Sequence, residues 1–188
     1  MSSAAGSAVI APGYITGAGT QVIMGDNTIR ELVYGKGAHA DPIACIEDIA
    51  AELATRTVTG YPHSIWQIVD HMSYWMEYEI HRIDGDRPHY PEHAIESWPA
   101  PPAPASEPQW QATRQRFSDL LARFASLAES DAATFVKPVQ PDKPSAPPST
   151  VGAIVKQITA HNSYHVGQIA MLRRQLDHWP PRRGGDSW

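Results

Sequence analysis

Apolar residues recur at helical spacing in four stretches of this chain, and no stretch alternates as a strand of useful length would. The first stretch, from about Asn27 to Leu53, is interrupted. Gly35 and Gly37 break it, and Asp41-Pro42 offers an N-cap and first-turn pair from which Ile43, Ile46, Ile49 and Leu53 continue at helical spacing. The second helix is predicted to open on a capping box, Ser64 with Gln67, and to stop near Ile83, before Asp84-Gly85. Ile65, Val69, Met72, Met76 and Ile80 form one of its stripes, and Ile68, His71, Trp75 and Tyr78 an adjacent one, so neighbours should cover it on two sides. Ser106 with Gln109 makes a second capping box, and Trp110, Phe117, Leu120, Leu121, Phe124 and Leu127 give the third helix its apolar face. The fourth is expected from Ser149 or Thr150 to about Leu176, with a stripe of Val151, Ile154, Ile158, His161, His165, Ile169 and Leu172.

Between these stretches lie most of the 17 prolines, clustered over Pro88–Pro108 and Pro138–Pro148. Four amphipathic helices around one core predict an all-α four-helix bundle with long proline-rich connections. Those connections are long enough to cross the bundle, so the sequence leaves open which neighbours run parallel. A chain of 188 residues suits one domain, assigned here to residues 26–188. Residues 1–25, rich in Gly, Ala, Ser and Thr, read as a flexible tail. They lack the basic start and continuous apolar run of a signal peptide, and Met24 stands just before the first helix as an alternative gene start.

A net charge of −5 argues against a phosphate-backbone partner, so no nucleic acid is expected. No apolar run reaches the roughly 20 residues that span a bilayer, so no membrane partner is expected. The single cysteine, Cys45, excludes an intramolecular disulfide and suits a cytoplasmic setting. It sits in an apolar stretch without an evident basic neighbour, as a buried structural thiol would.

The fourth helix carries the chemistry. His161 and His165 are four apart, one turn along the apolar face, where their ring nitrogens need partners. A shared divalent metal ion satisfies both rings, and His71, on an inward stripe of the second helix, supplies a third neutral ligand. Such a set suits Zn²⁺, Ni²⁺, Co²⁺ or Fe²⁺ and leaves a coordination position open. Hydrogen-bonded core histidines are the alternative, and the residues alone leave both readings open. A zincin-type peptidase is excluded, because the segment is His161-Asn162-Ser163-Tyr164-His165 and Asn162 cannot be its general base.

The chain resembles the DinB/YfiT-like superfamily of metalloenzymes at two motifs. His161-Asn162-Ser163-Tyr164-His165-Val166-Gly167-Gln168 is similar to that family's H-x-x-x-H-x-G-Q helix, and Ser64 to His71, with Trp75 following, to the helix that supplies the third ligand. The Glu96-Ser97-Trp98-Pro99 turn and the Trp179 to Trp188 ending resemble one branch of it. The resemblance implies a bundle with a metal held by His71, His161 and His165, and an open site. It implies a small-molecule enzyme: a transferase using a low-molecular-weight thiol, or a hydrolase. A non-catalytic metal-binding or stress-related module is the second reading, and a metal-free dimerising scaffold the third.

Gln168, one turn past His165, is expected beside the site, with Trp75 as core packing or a pocket wall. Gly167 is costly in mid-helix and is read as close helix packing or ligand approach. His39 is a candidate to line the pocket from the interrupted first helix. Tyr164 points about 100° away from His165. His63, His81, His89, His93 and His178 are assigned to solvated surface. Exposed aromatic ends, Trp179 and Trp188, are compatible with a homodimer.

Overall fold

The computed structural model describes residues 27–99, 106–143 and 145–183. The expected tail, residues 1–25, lies outside them. Three long helices carry the fold: α4 (Ile65–Asp84), α5 (Glu107–Ala128) and α7 (Val151–Gln175). The fourth side of the bundle is built from short pieces, α1 (Asn27–Val33), α2 (Ala44–Glu47) and α3 (Ala51–Thr55). Helix α1 packs on α5 and α7, α2 on α7, and α3 on α4 and α5, while α4 packs against both α5 and α7. One continuous core results, and it includes Ile65, Val69, Met72, Met76, Trp110, Phe117, Leu121, Ile154, Ile158, Ile169 and Leu172. The fold is all-α, as its periodicity predicts.

Local chemistry sets the helix ends. Ser64 Oγ accepts from the Gln67 N–H at 3.3 Å, and Gln67 Oε1 accepts from the Ser64 N–H at 2.9 Å, completing the expected box at α4. Gly85 closes that helix in the left-handed region, at φ 103°. Before α5, Gln109 Oε1 accepts from the Ser106 N–H at 3.0 Å. Thr150 Oγ1 caps α7 by accepting from the Ala153 N–H at 3.2 Å. Gly35 breaks α1 at φ 77°, and a Cβ there would press on the His39 ring and backbone.

The expected single helix through Ile43, Ile46, Ile49 and Leu53 is instead two short ones. Asp41 Oδ1 does cap the restart, accepting from the Ile43 and Ala44 N–H groups at 2.8 and 3.1 Å. The chain then turns extended at Ala50, because tertiary partners take over the backbone groups that a helix would use. Trp110 Nε1–H donates to the Ile49 carbonyl at 2.8 Å, and the Ala51 N–H donates to the Glu107 carboxylate at 2.9 Å. Arg173, fully buried on α7, donates to Asp48 Oδ1 and to the Cys45 carbonyl, both at 2.7 Å. Cys45 therefore has a basic neighbour after all. Burial outweighs it and pushes the thiol up to about 12, so the residue is structural and inert.

The proline-rich connections hold small elements that periodicity missed. They are a 3-10 turn (Ala94–Ser97), α6 (Ala132–Phe135), and a two-residue antiparallel ladder of β1 (Pro138–Val139) with β2 (Ser149–Thr150). That ladder corrects the expectation of no strand, and four-residue pieces are too short to show a period. Trp179 also departs from expectation. It is half-buried against the core, with the Arg174 guanidinium 4.3 Å from its ring, and is not a fully exposed end. Trp188 lies outside the described residues.

The start of α7 is seated tightly, because a Cβ on Gly152 would collide with the Phe135 ring of α6. Gly152→Ala is expected to cost about 1–3 kcal/mol by overpacking, read as a lower midpoint in urea. An unchanged midpoint would show that Phe135 swings away freely.

Candidate metal centre

Helices α4 and α7 bring together His71, His161 and His165, the three residues singled out by their stripe positions. The ring centroids of His71 and His161 are 5.2 Å apart, those of His71 and His165 4.9 Å, and those of His161 and His165 4.5 Å. One ligand nitrogen from each lies within 4.8 Å of the others. His71 and His165 are buried and His161 is half-buried. Among the described residues, no other His, Cys, Asp or Glu joins this group.

The hydrogen bonds around the rings decide what the group suits. His71 Nδ1 faces the Ser97 carbonyl at 3.0 Å, His161 Nδ1 faces Asn162 Oδ1 at 3.3 Å, and His165 Nδ1 faces Gln168 Oε1 at 2.7 Å. Every partner is an oxygen acceptor, so each Nδ1 carries the proton and each Nε2 keeps a lone pair. Yet His71 Nε2 and His161 Nε2 are 3.3 Å apart. Two lone pairs at that distance repel, and no shared proton remains to join them. A cation between them removes the conflict. Two nitrogens each ~2.1 Å from one ion at a tetrahedral angle stand roughly 3.4 Å apart, which matches the spacing. This donor set fits a divalent metal ion, and its three histidines are close enough together to hold one.

Electrostatics agree with neutral, ligand-ready imidazoles. Burial pushes His71 down to about 4; the Ser97 carbonyl opposes this, and the neighbouring histidines add to it. His165 is likewise held near 4 by burial against the opposing bond to Gln168, and burial lowers His161. All three are therefore unprotonated at neutral pH, as metal ligation requires.

The other expected site residues divide. Gln168 holds the ring of His165, rather than reaching past it. Trp75 is half-buried, edge-on to His71 at 6.5 Å between centroids, and continues into a cluster with Tyr78 and Tyr90. Gly167 and His39 are placed elsewhere. Both line a separate groove with Ser163, Val166, Ala170 and Arg174, on the side of α7 that periodicity turns away from His161 and His165. A Cβ at Gly167 meets nothing within 4 Å, so neither close packing nor ligand approach beside the histidines accounts for this glycine. Tyr164 is 66% exposed, edge-on to His165.

Sequence reasoning missed four participants. Asn162 is buried, accepts from His161 and donates to Met76 Sδ at 3.4 Å. In the sequence it stands out only as a residue that cannot be a general base. Ser97 acts through its carbonyl, which no side-chain motif reveals. Trp98 stacks on His71 at 3.8 Å and 6°, and His63 stacks on Trp98 at 3.6 Å and 7°. The position of His63 before the α4 cap predicts solvent, and the structure stacks it on Trp98 instead.

The sequence profile of the DinB superfamily matches residues 38–169, most of the chain and all three histidines. The chain belongs to the DinB superfamily. No curated protein and no solved structure matches it. Membership in the DinB superfamily and the clustered histidines together fit a metal-binding module. Among the described residues, no helix is long and apolar enough to cross a membrane.

Proposed function

We propose that this DinB superfamily protein is a divalent-metal-dependent enzyme acting on a small molecule, as a thiol S-transferase-like transferase or a hydrolase. One observation carries the reading: three histidine nitrogens converge, and no fourth protein donor among the described residues closes the site. Structural zinc sites are usually closed by four protein ligands, whereas catalytic sites keep a position for water or substrate. When bound, the ion would supply Lewis acidity and lower the pKa of a thiol or water at that open position. The chain's own residues do the rest. His71, His161 and His165 hold the ion, and Ser97, Asn162 and Gln168 fix the tautomer and aim of each ring. Trp75 stands edge-on to His71 and Trp98 lies flat against it. The single cysteine, unpaired and buried, supports a reducing, cytoplasmic setting for such chemistry.

The test is spectroscopic. Co²⁺-loaded protein is expected to change its visible absorption when a low-molecular-weight thiol is added, because the thiol reaches the open position. Gln168→Ala is expected to weaken Co²⁺ affinity about 10–100-fold with helicity intact, since it frees the ring of His165. A spectrum indifferent to saturating thiol and to other small ligands would favour the non-catalytic metal-binding module.

A further inference from the structure

Trp98 lies parallel to two imidazoles at once. Its partners, His71 at 3.8 Å and His63 at 3.6 Å, cannot both occupy one face of an indole at those separations without overlapping. They therefore lie on opposite faces, giving a stack in the order His63, Trp98, His71. The three rings come from different pieces of chain. His63 precedes the Ser64 cap of α4, His71 sits two turns inside α4, and Trp98 ends the 3-10 turn in the first proline-rich connection. That turn grips His71 twice: the Ser97 carbonyl takes its Nδ1–H at 3.0 Å, and the indole covers its face. Trp98 also stands edge-on to His165 at 5.8 Å, so it borders two of the three rings.

A hydrogen bond at Nδ1 alone leaves the imidazole free to rock about the line from Nδ1 to the carbonyl, which swings Nε2 away from His161. A flat surface against the ring face removes that freedom. His63 shows where the stack ends. Its Nδ1 is buried and has no hydrogen-bond partner, so a polar contact is forgone at the position where the ring presses on the indole. A residue kept there for solvation would turn that nitrogen outward.

We propose that Trp98, backed by His63, is a positioning residue for the metal centre: the stack sets the plane of His71 so that its Nε2 faces His161. This rests on the metal-binding reading and assigns neither Trp98 nor His63 as a ligand.

The test measures Co²⁺ affinity of the full chain by competition with a chromophoric chelator, together with the visible band and the metal-free melting curve. Trp98→Ala is expected to weaken Co²⁺ binding about 10–100-fold, in the range of other groups that orient a metal ligand. Trp98→Phe is expected to restore most of the affinity. His63→Ala should weaken binding several-fold, and His63→Phe, flat but without nitrogen, should recover it. A purely structural role would lower the metal-free melting temperature and leave the affinity and band of the folded protein unchanged, overturning the proposal. Failure of His63→Phe to rescue would overturn it too, by making the His63 nitrogen the active element. His161→Ala separates the two readings: if it abolishes binding while Trp98→Ala does not alter it, the metal centre stands and the stack's role falls. Absence of Co²⁺ binding by the unaltered protein sinks both.

Discussion

Replacing His71, His161 or His165 singly by alanine is expected to lower divalent-metal affinity by about two to three orders of magnitude. Binding free energies of about 10–16 kcal/mol for structural zinc sites, shared among their ligands, amount to roughly 3–4 kcal/mol each. At 1.4 kcal/mol per decade that is ~10²–10³-fold. The geometry makes the loss hard to compensate, because no other His, Cys, Asp or Glu among the described residues stands by to substitute. Far-UV helicity should persist, since the apolar core of α4 and α7 does not depend on these rings. His81→Ala is the control: that ring is exposed and bonded to Asp86 at 2.8 Å, away from the group. A core-histidine role predicts a different pattern, in which the three variants lose stability while weak metal binding stays as it was. Equal affinities across the three variants and the control, by chelator competition, would sink the metal centre.

The sequence revealed most where a residue's role depends on neighbours within its own helix. The Ser64–Gln67 box, the apolar stripes of α4, α5 and α7, and the His161–His165 pair are all consequences of a 3.6-residue period, so they can be read without tertiary knowledge. His71 needed one more step, that α4 and α7 face each other, and its inward stripe position supplied it. Where long-range partners decide, the sequence was silent or misleading. The helix expected through Ile49 and Leu53 was broken by Trp110, Glu107 and Arg173, which lie far along the chain. Gly167 is expected near the site from the His161–Gln168 motif, and His39 from its place in the interrupted first helix. The structure puts them together on another groove, since Gly167 is two residues, hence about 200°, from His165.

The orienting shell shows the same divide. Gln168 was legible because it follows His165 by one helical turn. Ser97 was not, because its contribution is a carbonyl, and any residue has one. His63 and Trp98 are separated by a long helix and a loop. The place of His63 just before the Ser64 cap points to solvent, and only the returning proline-rich connection shows why it is half-buried. One signal was present. A tryptophan beside proline in a connection must pack its large ring somewhere, and here it packs on His71 and His63.

The metal-free protein is expected to lose several kcal/mol of stability as pH falls from about 6.5 to about 4. His71 and His165 stand near 4 in the folded chain, against an ordinary value of 6.5 once unfolded. Between those limits the unfolded state binds protons that the folded state refuses. Stability therefore rises with pH across the window, is fully present above 6.5, and has no more to lose from these rings below 4. In mid-window each ring contributes a slope of about 1.4 kcal/mol per pH unit. Burial lowers His161 and His63 as well, which adds to the slope with the same sign. Two carboxylates, the half-buried Asp70 and the buried Glu79, work the other way. Desolvation raises Asp70 and Glu79, so the folded state takes up their protons first and gains stability near the acid end. A difference measurement removes that background. Urea unfolding at steps from pH 7.5 to 4, with chelator present, should show a much flatter profile for a His71→Gln/His165→Gln double variant than for the unaltered chain. Metal loading should steepen the unaltered profile further, because protons must then displace the ion as well as charge the rings. Parallel profiles for the two metal-free proteins would mean that the buried imidazoles accept protons without cost, and that the closely packed, neutral triad described here is not what the folded chain holds at neutral pH.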